Sequence, residues 1–352
     1  MNNHRKTNVY ICHRPYHVLR SCDMVEKLSD GSQNILIHFN MKKLGKNEYQ
    51  DHFRFPTMEK YFDKVILMNR ADCFEKSYSL KFRTFYKRKS AQYKLLIESF
   101  GKVDSVYFFS DYERPVEILV SQFKKMTPAK IILVDEGTAT YFLSNWKKNR
   151  FKVYANEWIS RLFGVKINSK GYGLSNLYDE SYALWPELAV FRKPVNKLPA
   201  ISPKIVSEMY EALSLNLCTK RVIYASSYVN TTYGVSKECE IGVLKKIQKE
   251  CRLHDCELYI KPHPVQSIEY YNEFNDFICD PQIPLELLMG EDTVVISPFS
   301  SVLVNARAMG LKAICVSRLF SDSNKYEQLF SFFGKIGVEF ANDMFMLSSM
   351  LK

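Results

Sequence analysis

The chain has 352 residues, 46% hydrophobic and 25% charged, with only 13 Gly and 13 Pro. That composition excludes collagenous, low-complexity and largely disordered chains, and at roughly 150 residues per domain it suggests two domains. The formal net charge of +11 is uneven: residues 1–200 carry 34 Lys and Arg against 20 Asp and Glu, and residues 201–352 carry 15 against 18, so the N-terminal half is expected to meet something anionic.

In chain order, an apolar strand over Asn8–Cys12 leads into a helix over Pro15–Leu28 with Val18, Leu19, Cys22 and Val25 on one face. Short apolar runs at Ile35–Phe39, Lys64–Met68, Ser105–Phe109 and Lys130–Val134 read as strands buried on both faces, as in parallel sheets. Between them, Lys81–Lys89 interleaves aromatics with cations, six of them when Lys94 is included. Such a stretch suits an anionic membrane surface or nucleic acid, or is simply a solvated helix face. Pro194, Pro199 and Pro203 mark an extended linker, which divides the chain into 1–200 and 201–352. Beyond it, strands at Arg221–Ala225, Glu257–Ile260, Thr293–Ile296 and Lys312–Val316 alternate with helices near 236–252, 284–290, 300–309 and 323–333. The alternation predicts an α/β protein of two doubly wound Rossmann-like domains.

No apolar run approaches the ~20 residues of a membrane-spanning helix. The polar first ten residues lead straight into a strand, so a soluble, unexported chain is expected. Nine scattered Cys without C-x-x-C spacing, and Cys251/Cys256 without a matching His pair, read as reduced thiols rather than a zinc site. There is no P-loop, no G-x-G-x-x-G, no G-x-S-x-G and no D-x-D to hold a nucleotide-sugar's cation.

Ligands of doubly wound sheets lie beyond the carboxyl ends of the strands. Asp135-Glu136-Gly137 follows Lys130–Val134, a pair of acids suited to general-base work or to a helix start. Lys261-Pro262-His263-Pro264 follows Glu257–Ile260 and sets an imidazole and a cation in a rigid frame suited to an anion such as a phosphate. Ser300-Ser301 follows Thr293–Ile296 at a helix start, as caps or as phosphate ligands. Glu286 stands near another helix start, placed to cap it or to accept from ribose hydroxyls.

Asp135-Glu-Gly137, His263-Pro264 and Ser300-Ser301, in that order, resemble the D/E-D/E-G, H-P and S-S/T motifs of bacterial sialyltransferases of the GT-B type. With Tyr10-Ile-Cys-His-Arg-Pro15 and Ile283-Pro-Leu-Glu286, the pattern looks most like glycosyltransferase family 52, over about residues 8–320. The resemblance implies two Rossmann-like domains facing an interdomain cleft, the N-terminal one for the acceptor and the C-terminal one for the donor. It implies inverting, metal-independent transfer from CMP-sialic acid to a hydroxyl of a bacterial lipooligosaccharide or capsular glycan, with no cofactor. Asp135 would be the general base, and His263 would bind the CMP phosphate and assist its departure. Ser300 and Ser301 would hold the same phosphate and Glu286 the ribose. Lys261, which the H-P motif does not itself require, and Pro264 would lie beside the phosphate, and His13, Arg14, Asp111, Glu136 and Gly137 are acceptor-side candidates. The expected partners are the donor, an oligosaccharide or lipid-linked glycan and, from the basic charge of the first 200 residues, peripherally the anionic inner face of a cytoplasmic membrane, with no nucleic acid; a homodimer is compatible. Two other readings compete. A transferase of polyol phosphate from a CDP-linked donor would use His13 or His17 as base, and a non-catalytic basic protein would bind membrane or nucleic acid through residues 81–94.

Overall fold

The computed structural model describes residues 5–28, 31–40, 58–69, 80–111, 113–141, 158, 172–212, 221–227, 234–263, 266–281, 283–320 and 327–352. The chain divides into two compact units, Met1–Leu198 and Pro199–Lys352.

The first unit opens on β1 (Thr7–Cys12), buried at all six positions. There follow α1 (Pro15–Leu28), β2 (Gln33–Asn40), α2 (Met58–Tyr61), β3 (Lys64–Asn69), α3 (Leu80–Glu98), β4 (Ser105–Phe108), α4 (Arg114–Met126), β5 (Lys130–Val134), β6 (Glu180–Ala183) and β7 (Val195–Lys197). The seven strands form one sheet in the order β3-β2-β1-β4-β5-β6-β7, parallel throughout. Val116, Leu119, Val120 and Phe123 of α4 and Tyr93 and Ile97 of α3 close a core with Val9, Ile37, Val106 and Phe108 of the sheet. Burial of these aliphatic and aromatic side chains is the main force holding helices to sheet.

Two expectations need correction here. The proline-marked stretch is not wholly linker: Val195–Lys197 is the edge strand of the first sheet, with the Ser181 N–H donating to the Pro194 carbonyl at 2.9 Å. A sheet edge tolerates proline because the missing N–H would face solvent. The basic stretch is indeed helical, but only part of it faces water. Lys87, Arg88 and Lys94 are exposed, whereas Lys89 and the Tyr86 ring are buried, Tyr86 in the core. The side chains of Lys81, Phe82, Arg83 and Phe85 lie outside those described.

The second unit runs α5 (Pro203–Ala212), β8 (Arg221–Ala225), α6 (Lys237–Leu253), β9 (Glu257–Lys261), β10 (Thr293–Ser297), α7 (Val302–Ala308), β11 (Lys312–Cys315), α8 (Glu327–Lys335), β12 (Glu339–Phe340) and α9 (Met344–Leu351). Its parallel sheet has the order β12-β11-β10-β8-β9. The helix expected near 284–290 is only a 3-10 turn, Leu285–Leu288, entered through the extended Pro284. Ser236 caps α6, accepting from the Cys239 N–H at 3.2 Å, and Asp343 caps α9, accepting from the Met346 N–H at 2.7 Å; each cap contributes about 1 kcal/mol. Buried Glu240 of α6 accepts from the hydroxyls of Tyr224, Tyr270 and Tyr271, each at 2.9 Å. Those bonds satisfy a carboxylate that would otherwise be costly in the interior and tie α6 to β8.

Both strand orders are those of doubly wound sheets. In each, the chain leaves one strand in two directions, between β1 and β4 in the first unit and between β8 and β10 in the second. Ligands of such sheets bind outside the carboxyl ends at those switch points.

Candidate active site

In the first unit, β1, β4 and β5 are neighbours, and their carboxyl ends lead into His13, Asp111 and Asp135. Asp135 is fully buried. One carboxylate oxygen accepts from the Gly137 N–H and the Thr140 hydroxyl, each at 2.7 Å; the other accepts from the Leu184 N–H at 3.1 Å and from the Tyr141 hydroxyl. Burial raises the Asp135 carboxyl above the ordinary aspartate value, while these four donors pull it the other way. Burial and the neighbouring carboxylate push the Tyr141 phenol up, so it stays a donor at neutral pH. Gly137 sits at φ 113°, ψ −141°, which an L side chain rarely adopts. The motif's third residue is thus required by the backbone.

Glu136 points to a different set. Its Oε1 lies 3.2 Å from Arg14 Nη2, 3.5 Å from His13 Nε2 and 4.0 Å from His17 Nε2. The His17 ring, on α1, stacks on Phe109 at 4.4 Å and meets the His13 ring edge-on at 4.3 Å. Burial, then the proximity of His13, Arg14 and His38, holds the His17 imidazole neutral well below its ordinary range. The acceptor-side candidates His13, Arg14, Glu136 and Gly137 therefore share one end of the first sheet with Asp135.

Asp111 is committed instead to another loop. It is fully buried and accepts from the Gly173 N–H at 3.1 Å and the Ser175 N–H at 3.3 Å, holding that loop. Burial lifts its carboxyl to about 6, against the opposing pull of its hydrogen bonds. A folded-state value above the unfolded one means that the native state holds this proton more tightly. Stability linked to Asp111 is therefore fully present below about pH 4 and lost as pH rises through 6, to the extent of about 3 kcal/mol. Between pH 4 and 6 the wild-type Tm should fall relative to that of Asp111→Asn, and parallel Tm profiles would refute the assignment.

In the second unit, β10, β8 and β9 are neighbours, so the loops after them lie within about 10 Å of one another. Lys261 ends β9 and is buried; His263, two residues on, is half-buried. Pro264 lies outside the described residues. Ser297 ends β10, and its hydroxyl donates to the Ala225 carbonyl at 2.7 Å while accepting from the Ser300 N–H at 3.2 Å. The Ser227 hydroxyl, beyond β8, is 3.0 Å from that of Ser297 and accepts from the Phe299 N–H at 3.2 Å. The Ser300 hydroxyl accepts from the Val302 N–H at 3.3 Å, and Ser301, at the N-cap of α7, makes no side-chain capping bond. Glu286 is buried and accepts from Asn305 Nδ2 of α7 at 2.6 Å, which ties it to the helix that Ser300 and Ser301 begin. This collar of hydroxyls at the switch point is chemistry suited to a phosphate.

Sequence reasoning missed several of these groups. Ser226-Ser227 is a second serine pair just beyond a strand, a signal that was there to be read. Thr140 and Tyr141 carry no motif of their own, and only the loop's path brings them onto Asp135. Among the described residues, no helix is long and apolar enough to cross a membrane, and the seven described cysteines are free thiols.

No match was found among curated protein sequences. Among solved structures, the chain is similar to an alpha/beta-galactoside alpha-2,3-sialyltransferase from Photobacterium phosphoreum, at 13% identity and TM-score 0.54, covering 99% of this chain and 100% of that one. It is also similar to a UDP-N-acetylglucosamine 2-epimerase, at 8% identity and TM-score 0.52, covering 99% and 86%. These likenesses show the fold, which is of the GT-B type. Residues 8–313 match the family model described as alpha-2,8-polysialyltransferase (POLYST). That span includes the acid, histidine and serine motifs. The chain is a glycosyltransferase and belongs to the alpha-2,8-polysialyltransferase family.

Proposed function

We propose that the protein transfers sialic acid from CMP-sialic acid, with inversion and without a metal ion, to a hydroxyl of a bacterial surface glycan. The family description favours sialic acid itself as the acceptor residue and a 2,8 linkage, in a capsular or lipooligosaccharide chain. The observation that carries the donor half is the hydroxyl collar of Ser227, Ser297 and Ser300 at the switch point of the second sheet, flanked by Lys261 and His263.

In this reading Asp135 takes the proton of the acceptor hydroxyl as its oxygen attacks the anomeric carbon. The bond from that carbon to the phosphate oxygen breaks on the opposite face. The charge left on CMP is met by His263, by Lys261 and by the Ser300 and Ser301 hydroxyls, and Glu286 accepts from the ribose. Burial supports a base poised closer to neutrality than a solvated aspartate. Activity should therefore rise with pH as Asp135 ionises.

Incubation with CMP-sialic acid and an oligosialic acceptor should release CMP and lengthen the acceptor, with the same rate in excess EDTA. Release from CDP-glycerol alone would establish the polyol-phosphate alternative, and an absolute requirement for Mg²⁺ or Mn²⁺ would refute metal-independent transfer.

The acceptor is expected at the inner face of the cytoplasmic membrane, reached by peripheral attachment through α3. Among its described side chains, Lys87, Arg88 and Lys94 are exposed cations, each contributing about 1 kcal/mol near an anionic surface. Changing all three to Ser should abolish co-sedimentation with anionic liposomes at low salt, while wild-type binding falls as salt rises. A wild type that ignores such liposomes would leave these charges to the acceptor alone.

A further inference from the structure

We propose that His13, His17 and Glu136, beside the proposed base Asp135, form a binding site for a transition-metal cation of the zinc class that takes no part in the transfer step itself. One ligand atom from each lies within 4.8 Å of the others. Tetrahedral Zn²⁺, with bonds of about 2.0–2.1 Å, sets its ligand atoms about 3.4 Å apart. Glu136 Oε1 already lies 3.5 Å from His13 Nε2 and 4.0 Å from His17 Nε2, so the carboxylate oxygen stands near tetrahedral spacing from both imidazoles, and the imidazole pair, within 4.8 Å, must draw together on loading.

The second observation is the state of the imidazoles. His13 and His17 are 5% and 0% exposed, and among the described residues no ring nitrogen of either makes a hydrogen bond. Buried polar groups are normally satisfied. Two buried imidazoles without hydrogen bonds, beside one carboxylate, are a donor set that a cation would satisfy. Three protein ligands of the His₂Glu type leave a fourth position for water. Imidazole and carboxylate together suit zinc better than magnesium or calcium, which prefer oxygen alone. Arg14 holds the same Glu136 oxygen at 3.2 Å with its side chain 52% exposed, so an entering cation competes with this guanidinium for the carboxylate. The loaded site would pin the end of β1, the first turn of α1 and the acid motif after β5 to one another. No step of the proposed transfer runs through it, so its failure would leave that reading untouched.

The test is calorimetric titration of the metal-free full chain with Zn²⁺, with Tm measured alongside. One Zn²⁺ per chain and a rise in Tm are expected. His13→Ala and His17→Phe, the latter keeping a ring against Phe109, should each weaken binding by about 100-fold or more and abolish the Tm rise. Should His17→Phe fail to fold by circular dichroism, Glu136→Gln takes its place. Co²⁺ should give the visible spectrum of a tetrahedral N/O site without thiolate charge transfer. Absent saturable binding, unchanged affinity in the variants, or loss of binding in Cys239→Ser, which removes an exposed thiol, would each overturn the proposal.

Discussion

Asp135→Asn should lower turnover by about 10²–10⁴-fold while leaving CMP affinity near the wild-type value, because it removes the proton acceptor and leaves His263, Ser300 and Ser301, the residues assigned to CMP, unchanged. The substitution is not silent for the fold. Both Asp135 oxygens accept from two donors each. An amide nitrogen placed where Tyr141 and Leu184, or Gly137 and Thr140, now donate would face N–H or O–H groups, so Tm should fall as well. Rates must therefore be referred to the amount of folded protein, counted by CMP binding. The pH profile adds a second readout: the wild-type rate rises as the carboxylate forms, and the residual rate of the variant lacks that limb. Near-normal turnover per folded molecule would remove Asp135 from the mechanism. Glu136, which faces Arg14 and the two histidines, would be the next candidate.

His263→Ala, and separately the double change Ser300→Ala/Ser301→Ala, should each weaken CMP binding by about 10–100-fold, the loss expected for hydrogen bonds to a charged group at about 1.5–3 kcal/mol each. The two should couple in a combined variant, since their donors are aimed at one phosphate and removal of either changes what the other can do. Ser227→Ala is a subtler probe. Its hydroxyl accepts from the Phe299 N–H and lies beside that of Ser297, so its loss should loosen the loop that carries Ser300. The expected pattern is weaker CMP binding with the fold intact. Unchanged affinity in both the His263 and the double serine variants would mean that the nucleotide lies elsewhere on the chain.

Much of this molecule was legible in the order of its residues. Strands buried on both faces need continuous apolar runs, and Lys130–Val134 and Arg221–Ala225 are strands with the predicted bounds. Residues that follow such strands emerge at the carboxyl edge of the sheet, so Asp135, Lys261, His263 and Ser300 were identifiable as candidates from local pattern alone. The sequence failed where a feature depends on residues distant in the chain. Strands β6 and β7 are four and three residues long and partly polar, and only the pairing of β6 against β5 and of β7 against β6 makes them strands. The basic helix was read as a surface for anions or a solvated face, yet Tyr86 packs into the core and Lys89 is buried. Asp111 stood among the acceptor-side candidates, yet it is buried and held to the loop at Gly173 and Ser175. His13 and Glu136 are far apart in sequence, and no spacing rule joins them. What local sequence determines is which residues stand at strand ends, because periodicity and chain stiffness act over a few residues. Which of them meet, and in what state of burial and charge, is decided by sheet order, because only the pairing of β1, β4 and β5 brings those ends side by side.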